Sequence, residues 1–128
     1  MPTRQGIFEA SLAHLRKQGR TTKSRTTGCL YRSPEGLMCA IGPLIPNDKY
    51  SPWMEGRPAS NGEISSVVMG TSASLIDRDW LARLQSALHD AYPVHEAPTF
   101  LPWLESQAMK FAEEENLTYT RALEGTPQ

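Results

Sequence analysis

The 128-residue sequence has the length of one ordinary domain, and its 39% hydrophobic and 21% charged residues are typical of a globular rather than a disordered chain. It contains no apolar run of ~18 residues that would span a membrane and begins without the apolar run of a signal peptide, so we expect a cytoplasmic protein. Its net charge is −1, yet seven of its 13 Lys and Arg residues and only one of its 14 Asp and Glu residues lie within residues 1–34. This segment therefore carries +6 and the remainder −7, so the basic segment can bind an anionic partner or pair with the acidic part of its own chain.

Apolar residues at helical spacing predict a first helix over residues 3–19. Thr3 can cap its N-terminus, and Gly19 is a natural stop. The polar, basic run RTTKSRTTG that follows, residues 20–28, is interpreted as a loop that leads into a strand. The side chains expected in the core are Ile7, Phe8, Leu12 and Leu15.

A Pro-Glu-Gly turn lies between two short apolar runs in GCLYRSPEGLMCAIGPLIP, residues 28–46. A type I turn followed by a left-handed residue fits this sequence and pairs Ser33 with Leu37, so we predict a β-hairpin. Because side chains alternate along a strand, both cysteines then lie on the same face and are structural. That face holds Cys29, Tyr31, Cys39 and Ile41, and the opposite face holds Leu30, Arg32, Met38 and Ala40.

Residues 46–76 show no clear periodicity. PNDKYSPWMEGRP indicates a turn or a single helical turn, whereas ASNGEISSVVMGTSASL combines small polar residues with a Val-Val-Met run. The glycines and serines of the second stretch argue against a long helix. Two interpretations stay open, a mobile binding loop and a strand with long connections.

Two helices are predicted in the remaining sequence. Asp77 and Asp79 can cap the first, which extends to about Tyr92. The last helix begins near Thr99 and accepts Pro102 in its first turn. The side chains expected to be buried are Trp80, Leu81, Leu84 and Leu88 from the first helix, and Leu101, Leu104, Ala108 and Phe111 from the last.

These elements predict one α+β domain over residues 1–128: an N-terminal helix, a β-hairpin or small antiparallel sheet, and two or three C-terminal helices. Residues 120–128 are predicted to be a frayed tail.

Two chemistries, thiol catalysis and metal binding, can be tested against the residue spacing. A thiol enzyme would use Cys39 or Cys29 as nucleophile and His89 as base, with Asp90 or Asp48 as orienter, but a cysteine in an apolar strand lacks the helix N-terminus or imidazolium that activates it. A cap at a helix C-terminus is the simpler role for His89. The cysteines are ten positions apart, and neither they nor the histidines have metal-ligand spacing, so we predict no metal site. The common cofactor and hydrolase motifs are also absent, so we predict no catalytic residue and no cofactor. The other histidines are His14 and His95.

The basic segment 16–32 is a candidate for binding an anionic nucleotide or a nucleic acid. Arginines and hydroxyl groups can hold a phosphate by charge-assisted hydrogen bonds, although Tyr31 is the only aromatic residue in the segment. The candidate residues are Arg20, Lys23, Arg25 and Arg32.

A second candidate site surrounds the aromatic stretch YSPWMEG, residues 50–56. Tyrosine, tryptophan and methionine side chains are typical of protein-binding hot spots when they are exposed, although packing against the hairpin is the more common fate of such a tryptophan. The predicted partner-binding residues are Tyr50, Trp53, Met54, Glu55 and Arg57.

Five stretches taken in order make the chain resemble a family of small, largely uncharacterised phage and prophage proteins. They are HLRKQG, CLYRSPEGLMCAIGPLIP, YSPWMEG, LARLQSALHD and WLESQAMKFAEEENL. Pro43, Trp53 and the serine-rich residues 60–74 depart from the pattern expected for that family. The resemblance implies a phage or prophage origin and no particular reaction.

Small phage proteins without catalytic motifs often act by binding. The leading hypothesis is therefore a non-enzymatic inhibitor of a host defence component, such as a CRISPR effector, in the host cytoplasm. The alternatives are a sponge for an anionic nucleotide or nucleic acid and a cysteine-dependent enzyme, and the chain can be a monomer or a homodimer.

Overall fold

The computed structural model describes residues 3–21, 30–34, 36–92 and 100–120. Within these ranges the chain forms four α-helices: α1 (Arg4–Gln18), α2 (Gly62–Met69), α3 (Leu75–Gln85) and α4 (Phe100–Glu115). Short 3₁₀ turns cover Gly42–Leu44 and Pro52–Met54, and a π-helical turn, Ser86–Asp90, extends α3.

The prediction of an α+β fold is wrong, because the described residues contain no β-strand. The predicted turn does form: Ser33 N donates to Leu37 O at 2.8 Å, and Gly36 adopts a left-handed φ of 87°. An isolated antiparallel bridge joins Arg32 to Met38 in the register predicted for the hairpin. Among the residues that the structure describes, the pairing extends no further, and this part of the chain is helical.

Side chains from distant elements replace the missing strand ladder. Every buried N–H and C=O group needs a partner, and a two-stranded hairpin pairs only the groups that face its other strand. Here the N–H groups of Tyr31 and Arg32 donate to the Glu55 carboxylate, at 2.8 and 3.1 Å. Gln18 pairs with both main-chain groups of Met38.

The chain after Met38 is held in the same way. Ala40 O accepts a hydrogen bond from Ser11 Oγ at 2.7 Å, and Ile41 N donates to Gln85 Oε1 at 3.1 Å. At Gly42 the backbone passes so close to Tyr31 that an added Cβ would lie 2.2 Å from its carbonyl oxygen. The 3₁₀ helix Gly42–Leu44 follows directly after the residues that were predicted to form the second strand.

The first helix agrees with its prediction. Thr3 Oγ1 accepts a hydrogen bond from Gly6 N at 3.0 Å, and Gly19 ends the helix in a left-handed conformation with φ 75°. The predicted apolar face is buried, namely Ile7, Phe8, Leu12 and Leu15.

Helix α2 lies in the segment that the sequence left undecided. Asn61 caps it by accepting from the N–H groups of Glu63 and Ile64, and Gly70 ends it with φ 77°. Its serine Ser65 makes a hydrogen bond within the chain, because the Ser65 Oγ donates to Ala59 O. The segment is therefore a short helix between two capping residues, and neither of the two interpretations is correct.

Helices α3 and α4 complete the core. Ser74, and not an aspartate, caps α3 by accepting from Asp77 N at 3.1 Å. Trp80 packs against Phe111 of α4, with 5.9 Å between ring centroids. The expected core residues are buried except Leu101, which is 41% exposed.

The basic and acidic parts of the chain pair with each other. Arg16 of α1 makes two hydrogen bonds to the Glu105 carboxylate of α4, at 2.6 and 2.7 Å, and Arg4 lies 3.0 Å from Asp77. Arg16 also donates to Thr120 O. Of the predicted tail, only Thr120 lies within the described residues. No helix in the described ranges is long and apolar enough to cross a membrane.

Candidate functional site

The five predicted partner-binding residues divide into a structural group and an exposed pair. Met54 belongs to the core and is 2% exposed. Glu55 uses its carboxylate to hold the N–H groups of Tyr31 and Arg32, so its charge serves the fold.

Tyr50 also belongs to the residues that have a structural role. Its hydroxyl donates to Glu55 Oε2 at 2.7 Å, and the Arg32 guanidinium carbon lies 4.6 Å from its ring centroid. Burial, together with the neighbouring Glu55 carboxylate, raises the pKa of the Tyr50 phenol to about 12. The tyrosine is therefore a neutral hydrogen-bond donor at physiological pH and is already engaged within the fold.

Trp53 and Arg57 form the exposed pair. Arg57 Nε donates to Trp53 O at 2.9 Å, and its guanidinium carbon lies 5.3 Å from the tryptophan ring centroid. Trp53 remains 38% exposed, which corrects the expectation that it packs against a hairpin. The cation–π contact and the hydrogen bond hold an aromatic ring and a cation together at the surface.

A cleft of about 310 Å³ lies next to this exposed pair. Gly56, Arg57 and Pro58 form part of its wall, so the cleft adjoins the Trp53–Arg57 pair through the shared arginine. Tyr31 fixes this wall because its hydroxyl donates to Arg57 O at 2.7 Å. The other described residues that line the cleft are Leu30, Tyr31, Cys39, Ala59, Gln85 and Asp90.

A hydrogen-bonded array orients the Asp90 carboxylate in this cleft. Gln85 Nε2 donates to Asp90 Oδ1 at 2.6 Å, and His89 Nδ1 lies 2.9 Å from the same oxygen. His89 is fully buried in the last turn of the π-helical segment, where its ring orients the Asp90 carboxylate. Its predicted role as a cap at the helix C-terminus stays a prediction. Gln85 also accepts from Ile41 N, which ties the array to the loop that contains Cys39.

The position of Cys39 does not favour thiol chemistry. Its side chain is buried, and burial raises the pKa of the thiol from about 9 to about 12. Catalytic cysteines need the opposite shift. His89 and Asp90 do lie in the same region as Cys39, but Asp48 is exposed in a surface turn, and Cys29 lies outside the described residues.

The predicted anion site is not assembled within the described ranges. Arg32 stacks on Tyr50 and donates through Nη2 to Ile45 O at 2.7 Å, so it is engaged within the fold. Arg20 is exposed. Lys23 and Arg25 lie outside the described residues.

Metal-ligating side chains do not cluster in the described part of the chain, where no group of three or more His, Cys, Asp or Glu is placed to hold an ion. His14 contacts Gln18, and His95 lies outside the described residues.

Sequence reasoning missed the role of Gln85. Its amide bridges Ile41 N and Asp90, yet in the sequence it reads as one more polar position on an amphipathic helix. Its burial on the same helix as Trp80 and Leu84 is the signal that identifies it, and only the fold supplies that signal.

Comparisons of the chain with known protein families, with curated proteins and with solved structures gave no match. The resemblance to phage and prophage proteins therefore stays a prediction from the sequence.

Proposed function

We propose that this chain is a non-enzymatic binding protein of a phage or prophage that inhibits a host defence component in the bacterial cytoplasm. The binding surface is the exposed Trp53–Arg57 pair together with the adjoining cleft. The observation that carries the proposal is that the Trp53 side chain is exposed at the surface while Arg57 contacts its ring.

The pair has the composition and the rigidity of a binding hot spot. Tryptophan and arginine are enriched among residues that dominate binding energy, and they act best beside a pocket. Arg57 is held at both ends, through its Nε bond to Trp53 O and through the bond from Tyr31 to its own carbonyl. Prior ordering of these groups reduces the entropy lost when a partner binds.

The buried thiol supports binding in preference to catalysis. A thiol whose pKa is raised to about 12 is almost entirely protonated at neutral pH, so Cys39 is a poor nucleophile. Of the two predicted anion-binding residues that the structure describes, Arg32 has a partner within the fold and Arg20 is exposed. The contact of Arg32 favours a protein partner over a nucleotide sponge that would use this arginine.

Native mass spectrometry of the tagged chain, purified gently from bacterial lysate, tests the proposal. We expect a stoichiometric complex with a defence protein, and we expect Trp53→Ala with Arg57→Ala to abolish it. Leu75→Ala is the matched control, because Leu75 is also exposed and apolar but lies on α3. A complex that the double variant retains, or a bare chain in a host with active defence systems, would contradict the proposal.

A further inference from the structure

The Arg57 side chain is exposed and has hydrogen-bond donors that the described part of the fold does not use. Its Nε donates to Trp53 O at 2.9 Å, and its guanidinium carbon lies 5.3 Å from the Trp53 ring centroid. Within the described ranges, neither Nη1 nor Nη2 of Arg57 makes a hydrogen bond. A guanidinium group also carries N–H donors on these two atoms, so Arg57 presents them to a partner with its position already fixed by Trp53.

Arg57 also has no counter-ion in the described part of the chain. No carboxylate there lies within ion-pair distance of its guanidinium group. Glu55, two positions earlier, accepts from two main-chain N–H groups and from the Tyr50 hydroxyl. Asp90, which lines the same cleft as Arg57, accepts from Gln85 and makes no ion pair with Arg57.

Binding at Trp53 changes the surroundings of Arg57. A partner that covers the tryptophan ring also removes water from the guanidinium group, because the two side chains are in contact. Removing water from a cation is costly unless an anion replaces the water. A carboxylate fits the donors that remain, since its two oxygens can accept from Nη1 and Nη2 together.

We infer that the partner protein places an aspartate or glutamate carboxylate on Arg57, next to an apolar group that packs on Trp53. A nucleic acid is a poorer fit, because phosphate backbones are bound by several cations and Arg57 is the only Lys or Arg among the described residues that line the adjoining cleft. The inference rests on the proposed function, since it names the chemistry of the partner at the Trp53–Arg57 pair.

Selection of random linear peptides on the immobilised full chain tests the inference without assuming a charge. Peptides that also bind Trp53→Ala are discarded, so that the remaining peptides report on the surface around Trp53. We expect these peptides to share an aspartate or glutamate next to an apolar residue. A shared lysine or arginine in its place, a shared motif without charge, or no peptide that depends on Trp53 would overturn the inference.

A double-mutant cycle with one selected peptide tests whether the acid binds Arg57 itself. Replacing the peptide carboxylate by its amide should weaken binding to the wild-type chain about fivefold or more in calorimetry. The same replacement should have no effect on binding to Arg57→Gln, because the partner of the acid has been removed. An equal loss on both chains would overturn the inference, as would equal binding of the two peptides to the wild-type chain, a comparison that does not need the variant to fold.

Arg83→Gln is the matched control for this cycle. Arg83 is exposed like Arg57, but it pairs with Asp79 and Glu115 within the chain. We expect the Arg83→Gln chain to bind the acidic peptide as tightly as the wild type does. An equal loss of affinity in the Arg83 and Arg57 variants would mean that the peptide senses the overall charge of the chain, which would contradict a specific contact with Arg57.

The complex with the host protein separates this inference from the proposed function. If Trp53→Ala abolishes the complex while Arg57→Gln retains it at full strength, the acidic group is excluded and the proposed function stands. If Trp53→Ala with Arg57→Ala retains the complex, the proposed function itself fails, whatever the peptides show.

Discussion

Gln18 makes with Met38 the pair of hydrogen bonds that a neighbouring β-strand would make. Its Oε1 accepts from Met38 N at 2.8 Å, and its Nε2 donates to Met38 O at 2.9 Å. A residue at the C-terminal end of α1 thus takes the place of a strand partner. Met38 is consequently held by Gln18 on one side and by its isolated bridge to Arg32 on the other, without belonging to a sheet.

Replacement of Gln18 by alanine leaves both main-chain groups of Met38 without these partners. We expect Gln18→Ala to lower the free energy of unfolding by about 1–3 kcal/mol, the usual cost of unsatisfied partly buried polar groups. Urea denaturation measures the loss. Lys17→Ala is the control, because Lys17 is exposed and its loss should change stability by less than about 0.5 kcal/mol. Equal stability of the two variants would show that Gln18 does not hold the segment.

Glu55 holds the other side of the turn through the N–H groups of Tyr31 and Arg32. Glu55→Gln keeps the size of the side chain but presents an amide donor to one of these N–H donors. We expect a loss of about 1–3 kcal/mol in unfolding free energy and faster hydrogen exchange at the amides of Tyr31 and Arg32. Exposed Glu113→Gln is the control. Unchanged exchange at both amides would refute the assignment.

Because the Cys39 thiol is buried, we expect the free energy of unfolding to fall at alkaline pH. Its pKa is raised by burial from about 9 to about 12, so the unfolded chain releases this proton first as the pH rises. The stabilisation is fully present below pH 9 and declines between pH 9 and 12, with a slope approaching about 1.4 kcal/mol per pH unit.

Cys39→Ala isolates this contribution. The variant should be less stable overall because it leaves a cavity, but its unfolding free energy should fall less steeply between pH 9 and 10, before tyrosines in the unfolded chain ionise. Urea denaturation across this range measures both slopes. Parallel slopes would mean that the thiol is not buried as described.

The Arg16–Glu105 pair joins the basic and acidic parts of the chain. It is bidentate and only partly exposed, so a double-mutant cycle with Arg16→Met and Glu105→Gln should give a coupling energy of about 1 kcal/mol or more. The exposed pair of Arg83 and Asp79 on α3 is the comparison, with an expected coupling of about 0.3–0.5 kcal/mol. A smaller coupling for Arg16–Glu105 than for this surface pair would contradict the role assigned to it.

The helices with strong apolar periodicity could be predicted from the sequence. Thr3, Gly19 and the apolar face of α1 are local signals, and the structure uses them as predicted. The prediction of a hairpin was wrong because it depended on contacts that are not local. Its turn is encoded locally, but the partners of several main-chain groups beside it come from Gln18, Glu55 and Gln85, which are 20 or more residues away from the groups that they bind.

The candidate site, too, depends on contacts between residues that are far apart in the sequence, and these could not be predicted. Trp53 and Arg57 were named from composition, and their spacing of four residues allows the contact between them. The cleft could not be predicted, because Asp90 and Gln85 reach it only through the packing of α3 against the loop that contains Cys39. Met54 and Glu55 share the local sequence of Trp53 but serve the core and the loop, which composition does not distinguish.

The proposed inhibition of a bacterial defence component through the Trp53–Arg57 surface is tested most directly by phage plating. The measurement is the plating efficiency of a defence-sensitive phage on a panel of bacteria with active defence systems that express the chain. We predict that the wild-type chain and Leu75→Ala restore plating on a strain of the panel, and that Trp53→Ala with Arg57→Ala does not while remaining folded. Restoration by the double variant, or no restoration by the wild-type chain on any strain, would contradict the account.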